Sequence, residues 1–164
     1  WSGKQWDAKR FAELANRLTS SSGIMQGAPV VILGAPEERT QAEFVSAMIP
    51  ATQSIDLVGK VDLLTACAVL HQCSLFVGND SGLMHIAAAS GVATVGLFGP
   101  SREEHYAPWG SRSSVVRTNL DYDELVGRPD YDHRTTDNLM GSLAVDDVEE
   151  AVIELWRRLG ERVT

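Results

Sequence analysis

Only two cysteines, Cys67 and Cys73, occur in 164 residues. They are too far apart for a C-x-x-C pair, and two residues make no disulfide framework. Both sit in apolar surroundings and are expected as buried, reduced thiols, which suits a cytoplasmic compartment. Long apolar runs are missing too. None approaches the roughly 20 residues of a membrane-spanning helix, and no signal-peptide pattern is seen. Positive charge is in deficit, with 14 Lys and Arg against 22 Asp and Glu, a formal net charge of −8. A nucleic-acid partner asks for a basic face and is disfavoured. There is no G-x-G-x-x-G after the first strand pattern and no P-loop, which disfavours dinucleotide oxidoreductases and P-loop enzymes. No H-E-x-x-H or Cys/His cluster appears, so no transition-metal site is expected. Ser81 does not stand in a G-x-S-x-G elbow.

What remains has the composition of a folded domain, with 44% hydrophobic and 22% charged residues, in a length sufficient for one core. The first residue is Trp1 rather than Met, and the chain is expected to be a piece of something longer. Residues 6–19 read as a helix capped by Asp7. Trp6 and Phe11 are placed for a hydrophobic staple, and Phe11, Leu14, Ala15 and Leu18 line one face. Residues 28–33 are expected as a buried strand. A helix at 36–49 has acidic residues in its first turn. Then come strand 54–58, helix 61–72, strand 74–77, helix 82–90, strands 92–98 and 113–117, and helix 146–160 capped by Asp146 or Asp147. Strands separated by helices predict an α/β fold, one doubly wound parallel sheet in a single domain over residues 1–164. Residues 118–143 break the rhythm and read as a long polar surface loop. Arg157 and Arg158 are expected on a solvated helix face.

Ligands of open α/β sheets lie beyond the carboxyl ends of the strands. The richest such turn is L-F-V-G-N-D-S-G-L-M-H at residues 75–85. Gly78 and Asn79 permit a tight turn, Asp80 or Ser81 is expected to cap the next helix, and Gly82 leaves its N-terminus bare. Free N–H groups at the positive end of a helix dipole suit an anion, a pyrophosphate above all. His85 lies one turn beyond Ser81, and helical side chains tilt back toward the N-terminus. A second strand end, G-L-F-G-P-S at 96–101, would lie beside it. The same residues also fit ordinary caps and a core histidine.

The run N-D-S-G-L-M-H-I-A-A-A-S-G-V-A-T-V-G-L-F-G-P, residues 79–100, resembles the signature of glycosyltransferase family 9, the ADP-heptose:lipopolysaccharide heptosyltransferases. Lys4-Gln5-Trp6 resembles the K-x-W that opens the family's second domain, and residues 34–39 (G-A-P-E-E-R) its strand-ending G-x-P-x-E. Residues 57–63 resemble the segment before the next helix, and Y-A-P-W-G at 106–110 the loop after F-G-P. The resemblance covers residues 4–110 and, loosely, 145–159.

It implies a Rossmann-like C-terminal half of a GT-B enzyme, in which two such domains face a cleft. It implies inverting transfer of heptose, or a related sugar, from an ADP-sugar onto a lipopolysaccharide core acceptor. Lys4 would contact the donor phosphates, Glu38 the nucleoside, and Asp80, Ser81, Gly82 and His85 the pyrophosphate and sugar. No cofactor or metal is implied, because a lysine and a helix N-terminus can stabilise the leaving diphosphate. The family's general base is an acidic residue of the N-terminal domain, so no catalytic residue is assigned. The acceptor would be met through that domain, in the cytoplasm, with a peripheral membrane contact of the full-length protein at the inner face of the inner membrane. Two other readings share these residues: a non-catalytic nucleotide-sugar-binding module, and a GT-B enzyme using a UDP-sugar. Many family members carry cysteines in the stretch matching 118–143, and this chain has none there.

Overall fold

Helices and parallel strands alternate through the computed structural model, which describes residues 1–129, 131, 132, 134 and 137–160. A 3-10 turn at Ser2–Lys4 leads into α1 (Ala8–Thr19), β1 (Val30–Ile32), a 3-10 turn at Pro36–Glu38, α2 (Arg39–Met48) and β2 (Ser54–Asp56). There follow α3 (Leu63–Leu70), β3 (Leu75–Asn79), α4 (Gly82–Ala89), β4 (Ala93–Phe98), α5 (Glu103–Tyr106), β5 (Ser113–Arg117), α6 (Tyr122–Val126) and α7 (Val145–Arg158). Every strand pairing among the described residues is parallel: β1 with β2, and β3 and β5 on either side of β4. The α/β, Rossmann-like expectation holds, with the hydrogen bonding divided into two ladders rather than one unbroken sheet. β1 and β2 have three residues each. Leu33, just past β1, packs in one cluster with Phe76 of β3.

β4 is buried along its whole length, and its alternating side chains meet different helices. Ala93, Val95 and Leu97 join Leu14 and Leu18 of α1 and Val148, Val152 and Leu155 of α7 in the main core. Burying a side chain such as Leu97 this fully contributes about 1.5–3 kcal/mol. Gly96 faces the other way, where an added Cβ would come within 2.6 Å of Met84 Sδ on α4. Leu70 of α3 and Ala87 of α4 pack with Phe76 on that same side. Helices therefore cover both faces, the doubly wound arrangement, and α2 adds Val45 against Ala12 of α1.

Local signals explain the element starts, with some corrections. Asp7 accepts the Lys9 N–H at 2.7 Å, and the Trp6 and Phe11 rings meet edge to face at 4.9 Å, so the staple forms. The helix expected from residue 36 begins as a 3-10 turn, which puts Glu37 and Glu38 ahead of α2. α7 is preceded by Ala144 as N-cap, not Asp146 or Asp147; the Asp147 carboxylate reaches back to the Ala144 N–H at 3.3 Å.

Residues 118–143 are not a plain surface loop. Asp121 and Glu124 bond each other's backbone N–H reciprocally, at 2.8 and 2.9 Å, and start α6. Leu125, Met140 and Leu143 of the stretch are buried, three apolar anchors hidden by its polar composition. Asp130, His133, Thr135 and Thr136 of that stretch lie outside the described residues. Both cysteines are free but only half-buried; Cys67 stands on α3, a peripheral helix whose Leu63 and Leu64 are themselves exposed, and Cys73 follows that helix. Arg157 and Arg158 are exposed on α7 as expected, and Arg158 also donates to the Ser113 carbonyl at 2.8 Å. No helix among the described residues is long and apolar enough to cross a membrane.

Candidate functional site

The segment ahead of α1 is tied down at several points. The Trp6 indole is 3% exposed and donates its Nε1–H to the Leu143 carbonyl at 2.9 Å. The Leu139 N–H donates to the Gly3 carbonyl at 3.1 Å. At the end of β3, Asn79 Oδ1 accepts the Trp6 N–H at 3.0 Å. Lys4 is thereby held at the β3–α4 turn, where its Nζ donates to Asp80 Oδ2 at 2.7 Å. The Nζ also lies 5.8 Å from the Tyr106 ring centroid. The Asp80 side chain is only 8% exposed, and a carboxylate at that depth needs a partner. Lys4, 33% exposed, supplies one ammonium donor and has others to spare for a ligand.

The cap expected from Asp80 or Ser81 is not made. Ser81 is the N-cap of α4 in extended conformation (φ −154°, ψ 170°) but gives no side-chain cap bond, and the Asp80 carboxylate is turned to Lys4. By contrast, α1 and α3 are capped by Asp7 and Asp62. The first N–H groups of α4, which no helix can satisfy internally, have no side-chain cap. A Cβ on Gly82 would meet nothing within 4 Å, so this helix end is open to an incoming group. Its position is fixed across the ladder by the Asp80 N–H bonded to the Leu97 carbonyl at 3.2 Å. Ser81, Gly82 and His85 are all exposed. His85 is therefore not a core histidine.

Glu38 stands apart from this contact. Its Oε2 accepts the Ala35 N–H at 2.9 Å and its Oε1 accepts from Gln5 Nε2 at 3.3 Å. One carboxylate oxygen closes a turn, and the other joins the segment that carries Lys4. The structure thus brings Lys4 and Asp80 into contact, sets Ser81, Gly82 and His85 on the adjoining helix start, and connects Glu38 through Gln5. Behind Glu38, Asp56 at the end of β2 bonds Arg39, Lys60 and the Val58 N–H. Burial pushes the Asp56 carboxyl up, but those three partners outweigh it and hold the group below its ordinary value.

Sequence reasoning missed Asn79, Gln5 and Tyr106 as members of this cluster. Asn79 reads as a turn former, and only adjacency to Asp80 and Lys4 would have singled out Asn79 and Gln5. Tyr106 carried no signal beyond its place after F-G-P. A cavity of about 170 Å³ lined by Arg17, Leu18, Ile24 and Ile153 holds none of the candidate residues. It lies at the far end of α1, whose 12 residues span about 18 Å.

The profile of glycosyltransferase family 9 (heptosyltransferase) matches residues 1–131. The lipooligosaccharide heptosyltransferase 2 of Haemophilus influenzae is 31% identical over 117 residues, 70% of this chain and 32% of that protein. The crystal structure of a family 9 glycosyltransferase from Veillonella parvula matches with a TM-score of 0.78 at 26% identity, over 96% of this chain and 43% of that one. The Escherichia coli ADP-heptose lipopolysaccharide heptosyltransferase II gives a TM-score of 0.76 at 24% identity, over 97% and 44%. The chain spans about a third of the length of the curated relative and less than half of the solved structures.

Proposed function

The chain belongs to glycosyltransferase family 9, and from that premise we propose that it is the donor-binding half of an inverting heptosyltransferase. It takes an ADP-sugar and serves the transfer of heptose, or a related sugar, onto a lipopolysaccharide core acceptor. The observation that carries the reading is the uncapped N-terminus of α4, open at Gly82, with the Lys4 ammonium beside it on Asp80. The donor named for the Escherichia coli structure is ADP-heptose, which supports adenine as the base.

The chemistry follows from charge. When the bond between the sugar and the diphosphate breaks, the nucleoside diphosphate leaves with growing negative charge. Fixed N–H donors, a helix dipole and one ammonium aimed at that charge lower the barrier. Lys4 and the first N–H groups of α4 take the phosphates, and His85 and the Ser81 hydroxyl reach the same region. Asp80 is itself an anion, so its place is to hold Lys4 and to accept from sugar hydroxyls rather than to touch phosphate. Glu38 borders the nucleoside. The acceptor, and the base that removes its hydroxyl proton, belong to the facing domain of the GT-B pair, and no catalytic residue is assigned to this chain. The work site would be the cytoplasmic face of the inner membrane.

Calorimetric titration with ADP, UDP and GDP tests this, repeated on Lys4→Ala and His85→Ala. ADP binding that both substitutions weaken is the expected result. A preference for UDP would move the chain to the transferases that use UDP-sugars. No binding of any of the three at millimolar ligand would mean either that the facing domain is needed or that this is no donor site, and the same titration on the full-length protein decides between them.

A further inference from the structure

Two consecutive residues of the β3–α4 turn grip the segment that carries Lys4. Asp80 takes the Lys4 ammonium at 2.7 Å, and Asn79 takes the Trp6 N–H at 3.0 Å. The second bond is unambiguous in direction, because a backbone N–H can only donate and the amide must present its oxygen. Lysine carries its charge on a flexible four-carbon stem, so a single ion pair confines it weakly. The other anchors of the segment run elsewhere: Trp6 to Leu143 and Gly3 to Leu139, which precede α7, and Gln5 to Glu38 ahead of α2. Among the residues that bond the segment's backbone or the Trp6 indole, Asn79 is the one next to the turn that presents the α4 N-terminus. It sets the segment and the helix end in one register.

We propose that Asn79 is a positioning residue: by accepting the Trp6 N–H it fixes the Lys4 ammonium at the open N-terminus of α4, where a nucleoside diphosphate is gripped. The proposal rests on the donor-site reading above. It assigns Asn79 no contact with the ligand, only control of where Lys4 stands.

The test is a double-mutant cycle read by calorimetry with ADP as the probe, on the wild-type chain, Asn79→Ala, Lys4→Ala and the pair. Asn79→Ala is expected to weaken ADP binding about tenfold, equivalent to about 1.4 kcal/mol. In the Lys4→Ala background the same substitution should change affinity by less than about twofold, because the group it positions is gone. A merely structural role would lower Tm in both backgrounds and leave the two losses independent. Independent losses, or an Asn79→Ala chain that binds ADP like wild type, would overturn the proposal. Should Asn79→Ala not fold, amide exchange at Trp6 in the unaltered chain decides. Slower exchange with ADP bound is expected, and exchange indifferent to ADP overturns the proposal. Should the wild-type chain bind no ADP, the cycle is run in the full-length protein, and no binding there fails the donor-site reading itself and the proposal with it.

Discussion

Substituting Gly82 by alanine should make this protein more stable and worse at binding. Gly82 is the first residue of α4, its backbone is outside the left-handed region, and a Cβ there meets nothing within 4 Å. Alanine therefore fits without strain and removes conformational freedom from the unfolded chain, a gain of about 0.4–1 kcal/mol. For a domain of this size that raises Tm by roughly 1–4 °C. The open space that makes the methyl harmless to folding is the space in which a diphosphate would approach the helix N–H groups. Losing one hydrogen bond to a charged oxygen costs about 1.5–3 kcal/mol, so ADP affinity should fall about tenfold to a hundredfold. Differential scanning fluorimetry and calorimetric titration on the same preparation read both effects. A lower Tm would refute the packing argument. A higher Tm with unchanged ADP affinity would refute the role of the α4 N-terminus in binding.

Three further outcomes follow from other contacts. Trp6→Phe removes the buried indole bond to the Leu143 carbonyl, although Arg10 still serves that oxygen. A loss of about 2 kcal/mol is expected, a Tm fall of roughly 4–8 °C, and a shift below about 1 °C would count against the anchor. The Asp56 carboxyl is held below its ordinary value, despite burial, by the Val58 N–H, Lys60 and Arg39. The unfolded chain then binds the proton more tightly, so Asp56 stabilises fully above its unfolded value near pH 3.9 and loses that contribution as pH falls from there through its lower folded value. Asp56→Asn should accordingly be less stable than wild type at pH 6, with the difference in Tm closing toward pH 3; a constant difference would contradict the assignment. Burial pushes the Cys73 thiol up, so with Cys67→Ser in place it should react with Ellman's reagent at pH 8 more slowly than a short peptide thiol. Reaction at the peptide rate would show that the thiol is not shielded.

Much of the fold was legible because its signals are local. β4 is a continuous apolar run, and such runs mark strands covered on both faces. Asp7, Trp6 and Phe11 announced the start of α1 by residue type and spacing alone. Legibility failed where a partner lay far along the chain. Residues 118–143 looked like loop because their polar residues outnumber the buried Leu125, Met140 and Leu143, and the burial of Met140 and Leu143 depends on α1, β4 and α7 arriving from elsewhere. The Lys4–Asp80 pair spans 76 positions, and nothing in composition or periodicity joins them. Family resemblance named both residues, but neither it nor periodicity foretold that they bond each other. Asn79 was passed over for the same reason, since its partner is 73 positions away.

The one helix-cap expectation that fails at the site fails informatively. Asp is among the best N-cap residues, and a cap there contributes about 1 kcal/mol. Asp80 stands one position ahead of the Ser81 N-cap, yet its carboxylate turns to Lys4, and Ser81 leaves the cap unmade as well. The starts of α1, α3 and α6 are closed by Asp7, Asp62 and Asp121. Those of α2, α5 and α7 also lack a side-chain bond from the N-cap residue, but at α4 a capping-type carboxylate stands just ahead of the end and turns to a cation instead. Departures from local rules are expected where a site is built. Here the departure has a definite shape: unpaired N–H donors, no side chain over Gly82, and the nearest carboxylate already occupied by a cation. Had Asp80 capped the helix, its own negative charge would sit where the donor-site proposal puts the phosphates. Neutralised by Lys4, it leaves the positive end of the α4 dipole unopposed, and an anion can take the place the cap would have filled.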